Sequence, residues 1–106
     1  MPKDSDKNKE FQELQMIEQN LQNILMQKQA FSFELTETES ALNEVKNSKD
    51  DVYKIVGQLM LKSSKDSIVE ELSNREKLLK LRLDSLQKQE DKLGNKLHEL
   101  QEKLMS

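Results

Sequence analysis

The sequence predicts a mainly α protein, a long antiparallel two-helix coiled coil with a central β-hairpin. Three observations carry this. Of 106 residues, 34% are hydrophobic and 35% charged, too polar a mixture for an ordinary compact core, so the apolar residues must be gathered into stripes. Leu, Ile, Lys, Glu and Gln dominate while Gly occurs twice and Pro once, the usage of long helices rather than of a loop-rich or all-β domain. Two apolar seams with coiled-coil spacing flank a short stretch of different character.

Residues 1–8, with Pro2 and the cluster Lys3-Asp4-Ser5-Asp6-Lys7, read as a solvated, disordered arm. A first helix is expected over residues 9–47. Within it, positions spaced alternately by three and four read Leu14, Ile17, Leu21, Ile24, Lys28, Phe31, Leu35, Thr38, Leu42 and Val45, of which only Lys28 and Thr38 are polar. A repeat averaging 3.5 residues keeps one stripe facing a partner helix over many turns. Neither Gly nor Pro interrupts it.

Residues 48–66 form the connector. Its apolar residues are β-branched, aromatic or alternating, and Gly57-Gln58 divides them into two short strands. Gly followed by another residue suits a type II′ hairpin turn, in which the first central position needs positive φ. Tyr53 and Ile55 are expected on one face, with Leu59 and Leu61 opposite them across the turn, and the four are expected to be buried together against neighbouring hairpins. A lone two-stranded hairpin is marginally stable and leaves its edges unpaired, so its apolar face needs a cover that oligomerisation supplies most simply.

The second helix is expected over residues 67–106. Ser64-Lys65-Asp66-Ser67 offers capping oxygens, and Glu70 and Glu71 meet the positive helix end. The seam reads Val69, Leu72, Glu76, Leu79, Leu83, Leu86, Glu90, Leu93, Leu97, Leu100 and Leu104, broken only by Glu76 and Glu90. Polar seam residues of this kind help to set register at some cost in stability. Leu78 and Leu81 lie outside the seam and widen the apolar stripe near the hairpin, as if a further partner packs there. Gly94 weakens the helix locally by about 1 kcal/mol relative to Ala.

Several function classes find no support. A net charge of −3 with both signs interspersed lacks the concentrated basic face of a nucleic-acid binder. The polar first ten residues lack the apolar centre of a signal peptide, and no apolar run reaches membrane-spanning length. Absent cysteine suits a reducing compartment, so a cytoplasmic protein is expected. His98 stands alone with no cysteine to complete a zinc site. The carboxylates sit at helical spacings among lysines, and neither glycine belongs to a phosphate-cradling loop. No enzyme, metal or cofactor is expected.

The segment Asp51-Val52-Tyr53-Lys54-Ile55-Val56-Gly57-Gln58-Leu59-Met60-Leu61-Lys62 resembles the hairpin of the prefoldin family, with its acidic-aliphatic-Tyr-Lys-x-x-Gly-x-aliphatic-x-aliphatic-Lys pattern. Gln27-Lys28-Gln29 in the first helix, and Lys65-Asp66, Glu71-Leu72, Leu81-Arg82-Leu83, Leu86 and Gln89-Glu90 downstream, are similar to archaeal subunits of the beta class, which carry one hairpin rather than two. The resemblance covers nearly all of the chain after its first ten residues. It implies a hexamer of two alpha and four beta subunits in which hairpins join into β-barrels, with Tyr53, Ile55, Gly57, Leu59 and Leu61 at the interface. It further implies an ATP-independent holdase that captures non-native client proteins and passes them to a group II chaperonin. The apolar residues towards the helix ends, Phe11, Leu14, Met16, Leu100, Leu104 and Met105, are the candidates for client contact, since flexible Met and Leu side chains suit promiscuous binding. Leu14 and Leu100 also fit a role in zipping the coil shut, whereas Phe11, Met16 and Met105 lie off the strict seam. The alternative reading is a structural coiled-coil scaffold or tether.

Overall fold

The computed structural model describes residues 2–105, with side chains from residue 7 onward. The order of elements is α1 (Pro2–Asn47), β1 (Val52–Val56), β2 (Leu59–Ser63) and α2 (Lys65–Met105). The helix α1 thus starts at Pro2, and residues 2–8, expected as an arm, continue it. Proline is tolerated at a first helical position, where its missing N–H would have had no intrahelical partner. By contact, the chain separates into two compact units, Met1–Ala30 with Leu83–Ser106, and Phe31–Arg82.

Every predicted seam position is buried or half-buried in both helices. In the first unit Ile17, Ile24, Leu86 and Leu100 are the buried apolar residues, and in the second Leu42 and Leu79. The helices are antiparallel within each. Glu13 meets Lys96 at 3.0 Å in the first unit, and in the second Arg75 meets Glu34 at 3.7 Å while the Arg82 guanidinium lies 5.4 Å from the centre of the Phe31 ring.

The polar seam residues are satisfied in different ways. Thr38, buried, donates its hydroxyl to the Glu34 carbonyl one turn back at 2.8 Å, so that hydroxyl is not left unpaired in the seam. Glu76 pairs with Lys80 along its own helix at 3.8 Å. Lys28 crosses the seam to Glu90, Nζ to Oε2 2.6 Å, and to Gln87 Oε1 at 2.8 Å.

Where α1 ends, Ser48 N–H closes a tight turn onto the Val45 carbonyl at 3.2 Å. The Lys65 ammonium donates to the carbonyls of Lys46 and Ser48 at 2.9 and 3.1 Å, filling acceptors that a helix C-terminus leaves open and complementing its negative end. Ser64 Oγ accepts from Ser67 N–H at 3.2 Å. Ser64 is therefore the cap, and α2 starts at Lys65, two residues before the expected boundary.

Candidate functional site

The hairpin is built by its turn. Gly57 has φ +62° and no other described residue has positive φ, so Gln58 cannot supply the second positive φ that a type I′ turn needs, and the pattern is that of type II′. A two-residue loop dictates the register: Val56 pairs with Leu59, Ile55 with Met60, Lys54 with Leu61, Tyr53 with Lys62 and Val52 with Ser63.

That register corrects the expectation for the hairpin faces. Paired residues across antiparallel strands point to the same face, and faces alternate along each strand. Tyr53, Ile55, Met60 and Lys62 therefore share one face, while Val52, Lys54, Val56, Leu59 and Leu61 share the other. The four residues expected on one surface are split between two. Leu59 and Leu61 are offset by one from the partners they would need to join Tyr53 and Ile55, and one residue of offset reverses the face.

Both faces are apolar and exposed. Ile55 is 71% and Met60 67% exposed on one, and Val56, Leu59 and Leu61 are exposed on the other. The second face also carries Lys54, whose ammonium meets both Glu71 carboxylate oxygens in α2 at 2.9 and 3.1 Å. Val56 and Met60 were not singled out from sequence, although counting outward from a two-residue turn would have found them. In α2 of the same unit, Leu78 and Leu81 point away from the seam, Leu81 being 68% exposed.

The candidates near the helix ends fall into two groups. Leu100 is buried at 6% exposure and Leu14 and Leu104 are half-buried, so these three serve the seam. Phe11 and Met16 are exposed, and Met105 is 88% exposed. Leu25, Met26 and Phe33 are further exposed apolar residues of α1, and their positions off the 3.5-residue repeat are the sequence signal that they face outward.

The described residues hold no group of three or more metal-ligating side chains, and no described helix is long and apolar enough to cross a membrane. His98 pairs with Glu102 one turn on at 3.0 Å, both exposed. Concavities along the helices are lined by solvated side chains such as Gln15, Gln19 and Asn23. The arrangement provides adhesive apolar surface on a coiled-coil frame.

Such a frame, two helices joined through an uncovered two-stranded sheet, defines a subunit that acts through association. The Prefoldin subunit family matches residues 6–106. The prefoldin beta subunit of Thermococcus kodakarensis is 43% identical over 96 residues, covering 89% of this chain and 82% of that protein. That of Methanosarcina acetivorans is 38% identical over 94 residues, 87% of this chain and 80% of that one. Among solved structures, the prefoldin beta subunit from Thermococcus strain KS-1 superposes with a TM-score of 0.87 at 38% identity, covering 93% of this chain and 89% of that chain. The beta2 subunit from the same strain shares the fold, with a TM-score of 0.72 at 20% identity over 82% of this chain and 95% of that chain. The chain belongs to the prefoldin subunit family, in its beta class, and its role is that of a chaperone subunit; the scaffold alternative is not favoured.

Proposed function

We propose that the chain is the beta-class part of a hetero-oligomeric holdase, two alpha-class and four beta-class subunits, that captures non-native proteins in the cytoplasm without nucleotide and hands them to a group II chaperonin. Family membership supports the class of function. The observation that carries the division of labour is where apolar surface lies outside the seam. On the hairpin, Ile55, Met60, Val56, Leu59 and Leu61 leave two uncovered faces and two unpaired strand edges, a surface that association with other hairpins would cover. Leu78 and Leu81 extend the apolar surface of the same unit. Near the helix ends, Phe11, Met16 and Met105 offer separate apolar contacts, each weak alone. Several subunits presenting them together convert weak contacts into useful avidity.

The test is co-expression with an alpha-class subunit, mass measurement of the product, and light scattering of a refolding client. A discrete particle of hexamer mass that suppresses aggregation equally with and without ATP is expected, since no loop in the chain has phosphate-cradling spacing. A simple dimer, or protection that requires ATP, would remove the reading.

A further inference from the structure

Of the three charged seam residues, Lys28 and Glu90 are not independent interruptions of two seams, because they meet each other. Lys28 Nζ lies 2.6 Å from Glu90 Oε2 and 2.8 Å from Gln87 Oε1. Gln87 is itself held in place by a hydrogen bond that its side-chain Nε2–H donates to Asp91 Oδ1 at 3.1 Å, one turn along. The Lys28 side chain is 24% and that of Glu90 36% exposed, so both charges are drawn partly out of water and each is answered by the other.

We propose that the cluster of Lys28, Glu90 and Gln87 is the register key of the coiled coil, which makes α1 and α2 partners for each other in one alignment and disfavours the alternatives. Leucine repeats alone do not choose between alignments: leucines at 72, 79, 86, 93 and 100 recur every seven residues, so a slip of one heptad would leave most of the seam matched. The charged pair would not survive it. One heptad from Glu90 stand Leu83 and Leu97, and one heptad from Lys28 stand Leu21 and Leu35. Either slip therefore sets each charge against a leucine, leaving two half-buried charges without partners. Pairing of like helices between copies meets the same obstacle, since α1 supplies no seam carboxylate for Lys28 and α2 no seam ammonium for Glu90. The corresponding use of a single polar seam residue to set alignment at some loss of stability is well attested in coiled coils.

This inference does not depend on the chaperone reading, and its test reads alignment directly. The chain has no cysteine, so spin labels can be placed on cysteines introduced at Glu18 and Glu99, both exposed. Labelled full-length chain is diluted into an excess of unlabelled chain, so that only distances within one chain are read by pulsed EPR. The native pair and the exchanged pair K28E/E90K should each give one distance population, because the Gln87 amide can serve either charge. K28L/E90L should raise the thermal midpoint yet add a second population, in which one label has moved along the other helix by about 10 Å, the length of a heptad. Helix content from circular dichroism confirms that each variant is folded. A single population in K28L/E90L matching the native chain would overturn the proposal, assigning alignment to the leucines and the hairpin instead. Two populations in the exchanged pair would overturn it as well.

Discussion

At the scale of single residues, the two glycines separate conformational need from packing. Beyond the adjoining residues and, for Gly94, the backbone of its own helix turns, a Cβ added at either Gly57 or Gly94 would meet no atom within 4 Å, so steric room does not distinguish them. Backbone conformation does. Gly57 has φ +62°, where a side chain costs about 1 kcal/mol or more, while Gly94 lies within α2, where alanine gains about 1 kcal/mol. Gly57→Ala is expected to lower the stability of the hairpin and to weaken co-assembly, and Gly94→Ala to raise the thermal midpoint of the helices by circular dichroism. Leucines divide by position in the same way. Leu79, 3% exposed in the seam, should cost about 2–5 kcal/mol on truncation to Ala. Leu81→Ala should shift the isolated chain by no more than about 0.5 kcal/mol; equal midpoints for the two variants would contradict the assigned seam.

At the scale of elements, the hairpin differs most from its sequence-based reading. The alternation identified two strands and the glycine identified their turn, but the assignment of Leu59 and Leu61 to the face of Tyr53 and Ile55 ignored that a two-residue loop pairs Val56 with Leu59. The consequence is testable. With apolar residues on both faces, neither a Lys at Ile55 nor a Lys at Leu61 should be tolerated in an assembly that covers both sides, and each variant should reduce particle mass while sparing helix content. Loss of assembly in Ile55→Lys alone would mean that only the face of Tyr53, Ile55 and Met60 is engaged. The helices behaved more simply, since every seam residue predicted from the repeat is at least half-buried. Their polar exceptions are not set by the repeat: Thr38 turns to its own backbone, whereas Lys28 reaches across to Glu90.

At the scale of the whole molecule, the division into two compact units allows assembly and capture to be tested apart. Deleting residues 1–16 with 99–106 removes Phe11, Leu14, Met16, Leu100, Leu104 and Met105 and leaves the Phe31–Arg82 unit complete. Seam packing from Ile17 to Val45 and from Val69 to Leu97 remains to support the helices. The truncated subunit should still co-assemble, with particle mass unchanged, but protect a refolding client poorly in light scattering. Undiminished protection at unchanged mass would place capture elsewhere than the helix ends. Collapse of the particle would show that these residues are structural, a role that the burial of Leu100 and the partial burial of Leu14 and Leu104 already suggests for those three.

The sequence by itself determined the fold class, the two seams, the turn glycine and the family, because each rests on periodicity or local conformation: a 3.5-residue repeat, a period of two, and a positive φ that only glycine takes readily. Tertiary structure decided what depends on which residues meet across the chain. It placed Lys28 on Glu90, split the hairpin's apolar residues between two faces, and separated Phe11, Met16 and Met105 from the seam residues Leu14, Leu100 and Leu104. A repeat states that a residue faces some partner. The alignment of one element against another then selects which partner, and a displacement of one residue in a strand or seven in a helix changes that choice while leaving the pattern intact.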